Sequence, residues 1–331
     1  MTSDATQGSE PGMGNLHVVI GASGAIGGAL VRELAGRGHR VRAVNRRGDA
    51  EAPAGVERLA ADMTTADGAK AATDGATVVY HCAQPPYTNW PAAFPPLTEA
   101  ITEGAAAAGA KLVLADNLYL YGPHDGPLTE DLPAAATGPK GRVRAEMAER
   151  LLAAHRAGRL RVAIGRASNY YGPGGRNSVT GDRLFRAAVA GRTVRWVGRL
   201  DQPHTLSYLE DVAAGLATLG EQDRADGHAW HLPAAAPLTG RQFLELVAAA
   251  GGGRSRIATS SATMTRLAGL FVPMIREVGE VLYEFQAPYV VDWSRFQRAF
   301  GPVTPTPHVV AVARTVDWFR TAEEQSGPPL Q

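Results

Sequence analysis

The sequence predicts an α/β fold: a doubly wound parallel sheet followed by a smaller, mostly helical C-terminal lobe. Three observations predict it. Short apolar runs of β-type residues alternate with Ala-rich stretches of helical periodicity through the first two thirds of the chain. The first such run leads directly into a glycine-rich turn that opens a helix. From about Tyr170 the alternation loosens into a succession of helices. A chain of 331 residues suffices for one large α/β domain with an added lobe.

The elements follow in order. Residues 1–14, MTSDATQGSEPGMG, are polar and Gly-rich, with neither the basic nor the apolar segment of a secretory signal, and are expected to form a disordered tail on a cytoplasmic protein. Strands are expected at Leu16–Ile20, Val41–Val44, Thr77–Cys82, Lys111–Ala115 and Arg161–Ile164. Helices are expected at Ala25–Arg37, Thr98–Ala108 and Arg142–Ala157, completing a dinucleotide-binding core over residues 15–170. A substrate lobe over 171–325, interleaved with remaining core elements, carries helices at Gly181–Ala190, Leu209–Leu219, Thr239–Ala250, Ser260–Leu270 and Val309–Thr321.

Composition excludes several functions. With 33 Lys and Arg against 32 Asp and Glu the net charge is +1, which argues against a strongly basic nucleic-acid binder. One cysteine, Cys82, leaves no disulfide framework and no cysteine zinc site, and the nine histidines show no ligand spacing, so no metal is expected. No run of 18 apolar residues is present, so no membrane span is expected.

The chemistry-bearing motif is Gly21-Ala22-Ser23-Gly24-Ala25-Ile26-Gly27, between the first strand and the first helix. Glycines there allow a tight turn and close backbone approach, and the helix N-terminus offers free N–H groups to a pyrophosphate. The second strand ends in Asn45-Arg46-Arg47, without the acid that reads a ribose 2′-hydroxyl; arginines at that place suit a 2′-phosphate. NADP(H) is therefore favoured over NAD(H). Asp62 and Met63, after a third strand, are candidates to flank the adenine.

Together with VVYHCAQ at 78–84, LYLYGP at 118–123, RASNYYGPGG at 166–175 and SYLEDVAAGL at 207–216, this loop resembles the extended short-chain dehydrogenase/reductase family, the NAD-dependent epimerase/dehydratase group. The resemblance implies a Rossmann-type fold, with Ala83 and Gln84 beside the cofactor and a substrate cleft completed by the second lobe. It also implies a homodimer formed through helices at Thr98–Ala108 and Arg142–Ala157. The family's chemistry uses Tyr-x-x-x-Lys on one helical face and a Ser or Thr after the fifth strand. Here the matching positions read Lys140, Arg144 and Asn117. Asn117 can donate to a substrate oxygen, Arg144 can hold ribose hydroxyls, and Lys140 can act as an acid, or as a base once desolvated. Tyr119, two residues past Asn117, is the first alternative proton donor.

On the substrate side, the resemblance implies that Asn169 contacts substrate, and it places His204 where relatives acting on nucleotide sugars carry an arginine against the diphosphate. Tyr87, Tyr170 and Tyr283 are further candidate substrate contacts. Phe271, Met274, Phe285 and Tyr289 add to an aromatic-lined, apolar pocket, and Pro85, Pro86, Tyr87 and Trp90 to a lid. The expected function is an NADP(H)-dependent oxidoreductase acting on a carbonyl, alcohol or activated double bond of a small, fairly apolar molecule. The alternatives are an epimerase/dehydratase-type isomerase or lyase, and a non-catalytic NADP-binding sensor.

Overall fold

The computed structural model describes residues 15–260 and 279–326. The N-terminal tail, the helix expected after Ser260, Phe271 and Met274 lie outside them.

In chain order the elements are β1 (Leu16–Ile20), α1 (Ala25–Gly36), β2 (Arg40–Asn45), β3 (Glu57–Ala60), α2 (Ala66–Thr73), β4 (Val78–His81), α3 (Trp90–Ala107), β5 (Lys111–Asp116), α4 (Pro139–Arg156), β6 (Val162–Arg166) and β7 (Tyr170–Tyr171). There follow α5 (Asp182–Val189), β8 (Val194–Val197), β9 (Pro203–His204), β10 (Ser207–Tyr208), α6 (Leu209–Glu221), β11 (His228–His231), β12 (Leu238–Thr239), α7 (Gly240–Ala250), β13 (Ile257–Ser260), α8 (Ser294–Phe300) and α9 (His308–Ser326).

Seven strands form one parallel sheet in the order β11-β6-β5-β4-β1-β2-β3. This is a Rossmann-type fold. The strands are apolar on both faces because both are covered. Leu16, Val18 and Ile20 of β1 enter the core shared with α2, α3 and α4, whereas Val19 enters the core shared with α1 and α6. Leu112 and Leu114 against Val113 repeat that division in β5. A third core joins α5, β8, α7 and α9 through Phe185, Trp196, Phe243 and Phe319.

Two elements, α3 and β11, depart from the sequence expectation, and β3, expected before Asp62 without bounds, has an unusual composition. β3 reads Glu-Arg-Leu-Ala and is largely exposed at the sheet edge, so it lacks the apolar signature of a central strand. α3 begins at Trp90 and runs through Pro95 and Pro96, where proline would ordinarily stop a helix. Its first turns are held by tertiary packing: Trp90 and Phe94 are 1% and 0% exposed. Trp90 is therefore a core residue of α3 and not part of a lid. β11 reads His-Ala-Trp-His, yet it returns from the C-terminal part of the chain to pair with β6.

Candidate active site

The loop from β1 to α1 is built almost wholly from backbone. Gly21 has φ +87°, in the left-handed region, and a Cβ there would stand 2.6 Å from the Ala83 nitrogen. A Cβ on Gly27 would stand 2.2 Å from the Gly21 carbonyl oxygen. The Gly21 and Ala22 N–H groups donate to Val44 O at 2.9 and 3.1 Å, tying the turn to β2. Gly24 caps α1 without a side-chain acceptor, and Ser23 and Gly24 are exposed. Free N–H groups at an uncapped helix start, reached over glycines, fit a dinucleotide pyrophosphate. Ala25, Ile26 and Gly27 form the first helical turn behind them.

At the end of β2, Asn45 is occupied with its own turn: Oδ1 accepts Gly48 N–H at 2.6 Å and Nδ2 donates to Asp49 at 2.8 Å. Asp49 also accepts from Arg47 at 2.7 Å, and these bonds hold its carboxyl below the usual range. Arg46 is exposed and makes no ion pair among the described residues. Asp62 is exposed and bonds to Thr64, while Met63 is buried in the core beneath. Ala83 is half-buried against Gly21, and Gln84 is exposed.

The start of α4 is built from side chains. Lys140 is 1% exposed, its Nζ 3.2 Å from Glu280 Oε2 and 4.6 Å from the centre of the Tyr87 ring. The other oxygen of Glu280 accepts the Lys140 backbone N–H at 2.8 Å, so a carboxylate 140 residues away caps the N-terminus of α4. Gly138, which lacks a Cβ, lets that carboxylate approach.

One turn further on, Arg144 is buried between Asp116 and the rings of Trp90 and Phe94, 4.5 and 4.3 Å from its guanidinium. Its Nη1 donates to Asp116 Oδ1 at 3.3 Å, and Arg166 Nε donates to Asp116 Oδ2 at 3.3 Å. Arg166 also donates to the Tyr121 hydroxyl at 2.7 Å, which lies 2.8 Å from His231 Nε2. Two arginines thus share one buried carboxylate beneath the ends of β5 and β6. The Arg144 Nε has no partner within this arrangement.

Asn117 accepts the Tyr119 N–H on Oδ1 at 3.1 Å, which leaves its amide nitrogen as a donor. Tyr119 is half-buried, stacked on Trp90, with its hydroxyl 3.5 Å from that of Tyr87. Burial foremost, with the Glu284 charge second, pushes its hydroxyl well above the ordinary tyrosine value.

The substrate-side candidates converge on a residue that sequence reading missed. Asn169 Nδ2 lies 3.2 Å from His204 Nε2 and donates to Glu284 Oε2 at 2.8 Å. Tyr289 donates to Glu284 Oε1 at 2.9 Å. Glu284 is 1% exposed, and burial pushes its carboxyl up to about 7 against the opposing hydrogen bonds of Asn169 and Tyr289. His204 stacks between Phe285 and Tyr289, at 4.9 and 5.1 Å, and burial pulls it down to about 3. It is a neutral ring in an aromatic stack. Tyr283 is half-buried beside these groups, and Tyr170 packs against the sheet core. Asp116, Glu280 and Glu284 were all missed. For Glu284 one signal was present: a lone acid inside the apolar run Val281-Leu282-Tyr283-Glu284-Phe285.

The chain matches the NAD dependent epimerase/dehydratase family over residues 17–232. It belongs to that family. Solved structures with the same fold include MoeE5 in complex with UDP-glucuronic acid and NAD, 23% identical, covering 94% of this chain and 100% of that one with a TM-score of 0.74. DesIV, a dTDP-glucose 4,6-dehydratase from Streptomyces venezuelae with NAD and TYD bound, is 19% identical over 92% and 97% of the two chains, TM-score 0.73. UDP-N-acetylglucosamine 4-epimerase from Bacillus cereus is 15% identical over 92% and 96%, TM-score 0.74. No curated protein matches the chain.

Proposed function

We propose that this family member is a dinucleotide-dependent oxidoreductase that takes NADP(H) and acts on a carbonyl, alcohol or activated double bond of a small, fairly apolar molecule. The observation that carries the substrate class is His204, buried and neutral in a stack of Phe285 and Tyr289 where relatives acting on nucleotide sugars place an arginine. A neutral buried ring offers no charge to a diphosphate. The cofactor would lie on the Gly21–Gly27 loop, with Ala83 and Gln84 alongside and Asp62 and Met63 near the adenine. A bound nicotinamide supplies the hydride; the chain supplies orientation and a proton. Arg46 is the reader of the 2′-phosphate, because Arg47 is already paired with Asp49. Asn117 donates to the substrate oxygen, and Tyr119, Tyr87, Asn169, Tyr170 and Tyr283 line the space over it. Two copies would pair through α3 and α4, whose shared outer groove is lined by Thr98, Thr102, Met147 and Leu151.

Calorimetric titration with NADPH and NADH tests this reading. Tighter binding of NADPH supports it; preference for NADH removes the role of Arg46, and no binding of either removes the redox reading. A second reading, an epimerase or dehydratase with transient redox, is favoured by the similarity to the dTDP-glucose dehydratase and the UDP-N-acetylglucosamine epimerase. Release of oxidised substrate and net consumption of dinucleotide separate the two.

A further inference from the structure

We propose that Glu284 is the group that exchanges a proton with the substrate oxygen, in the part that the family gives to a tyrosine at the Lys140 position. This rests on the redox reading above. Several other titratable groups described near these residues are held elsewhere or shifted away from neutrality. Lys140 is held by Glu280 through both its ammonium and its backbone nitrogen. His204 is neutral, and the hydroxyls of Tyr119, Tyr283 and Tyr289 are all pushed upward by burial first, with the Glu284 charge second. Arg144 and Arg166 are both paired with Asp116.

Glu284 differs in geometry. Each of its oxygens is held by a neutral donor, Asn169 on one side and Tyr289 on the other, and no cation pairs with it among the described residues. Its position is therefore fixed while its charge is free to change. Asn169 is the residue that the family resemblance sets against substrate, and it donates to Glu284 directly. The carboxyl thus belongs to one cluster with Asn169, His204 and Tyr289. A carboxyl at about 7 is poised to give or take a proton at neutral pH, where a buried tyrosine is a weaker acid.

In the reductive direction the carbonyl carbon accepts a hydride from the reduced nicotinamide dinucleotide. The C=O π pair becomes a lone pair on oxygen, and protonated Glu284 gives its proton to that oxygen. The carboxylate left behind keeps its bonds to Asn169 and Tyr289 and is reprotonated from solvent. Oxidation of an alcohol runs the same transfers backwards.

The test uses the full chain with NADPH and three probes, nitrobenzaldehyde, phenanthrenequinone and cyclohexenone. The parent protein is expected to reduce at least one of them, with a rate that falls as pH rises through about 7. Glu284→Gln is expected to lose about a hundredfold or more in kcat while keeping its affinity for the dinucleotide, and to lose that pH limb. Tyr289→Phe keeps the carboxyl, removes one donor to the carboxylate and moves the limb to higher pH; it also carries the test if Glu284→Gln does not fold. An infrared band of a protonated carboxyl that titrates near neutrality and is missing from Glu284→Gln gives a readout independent of turnover. Full activity with an unmoved limb in Glu284→Gln, or no such band, overturns the assignment. No turnover of any probe by the parent protein overturns the redox reading instead, and the proton role with it.

Discussion

The loop after β1 and the start of α4 lie at the C-terminal ends of strands in one sheet, but the first is made of backbone and the second of side chains locked into pairs. At Gly21–Gly27 every critical contact involves a main-chain atom or a missing Cβ. At Lys140 and Arg144 the charges are buried against Glu280 and Asp116. A site made of backbone survives wide change in sequence provided its glycines stay. A site made of side chains can be rebuilt by substitution, because each replaced group needs only a new partner.

The largest effect expected is at the side-chain end. Asp116→Ala leaves Arg144 and Arg166 buried without their shared carboxylate, and breaking a buried pair by removing one partner costs about 3–5 kcal/mol. Denaturant unfolding should show it. A loss near zero would mean that the arginines reach water, and the contrast between a backbone site and a site of locked side-chain pairs would fail.

The next effect depends on pH. The Glu284 carboxyl sits at about 7 in the folded chain and at 4.5 ordinarily. Between those values the folded state keeps a proton that the unfolded state has lost, so this group's contribution to stability declines as pH rises and levels off above about 7. Glu284→Gln removes that slope. Its melting temperature should gain on the parent between about pH 5 and pH 8, by an amount equivalent to on the order of 3 kcal/mol. His204 titrates with the opposite sign but is present in both proteins, so it cancels in the difference. A constant gap across that range would show that the carboxyl is not desolvated.

At the backbone end, Gly27→Ala places a methyl against the Gly21 carbonyl and should cost about 1–3 kcal/mol of stability. Dinucleotide affinity should fall with it, read by titration calorimetry. Unchanged binding would mean that the loop tolerates side chains and is not the backbone cradle described. The smallest effect sharpens cofactor choice: Arg46→Ala should weaken NADPH by about tenfold, as expected for one charge-assisted contact at an exposed site, and leave NADH unchanged. Equal loss for both forms would remove Arg46 as a phosphate reader.

Much of this was legible in the sequence for identifiable reasons. The β1 strand, the glycine turn and α1 are local, so their signals sit within some twenty consecutive residues. Lys140, Arg144 and Asn117 are matched to the family's motif positions by the resemblance alone. Their partners could not be placed from the sequence. Glu280 is 140 residues from Lys140, and Glu284 is 115 residues from Asn169. Trp90 followed a proline-rich loop and read as part of a lid, because only the packing of α3 shows that it is buried beside Arg144.

The sequence by itself determined the doubly wound sheet, through apolar periodicity and a glycine turn whose geometry each residue largely dictates. It also shows that no tyrosine lies between Tyr121 and Tyr170, the stretch that contains α4. What only the tertiary structure decided is the surroundings of Lys140, Arg144 and Glu284. Charge and protonation depend on burial and on neighbours within a few ångströms, and those neighbours come from chain segments far apart. The neutrality of His204, the capture of Lys140 by Glu280 and the raised carboxyl of Glu284 all arise from the C-terminal part of the chain folding back against β6 and α4.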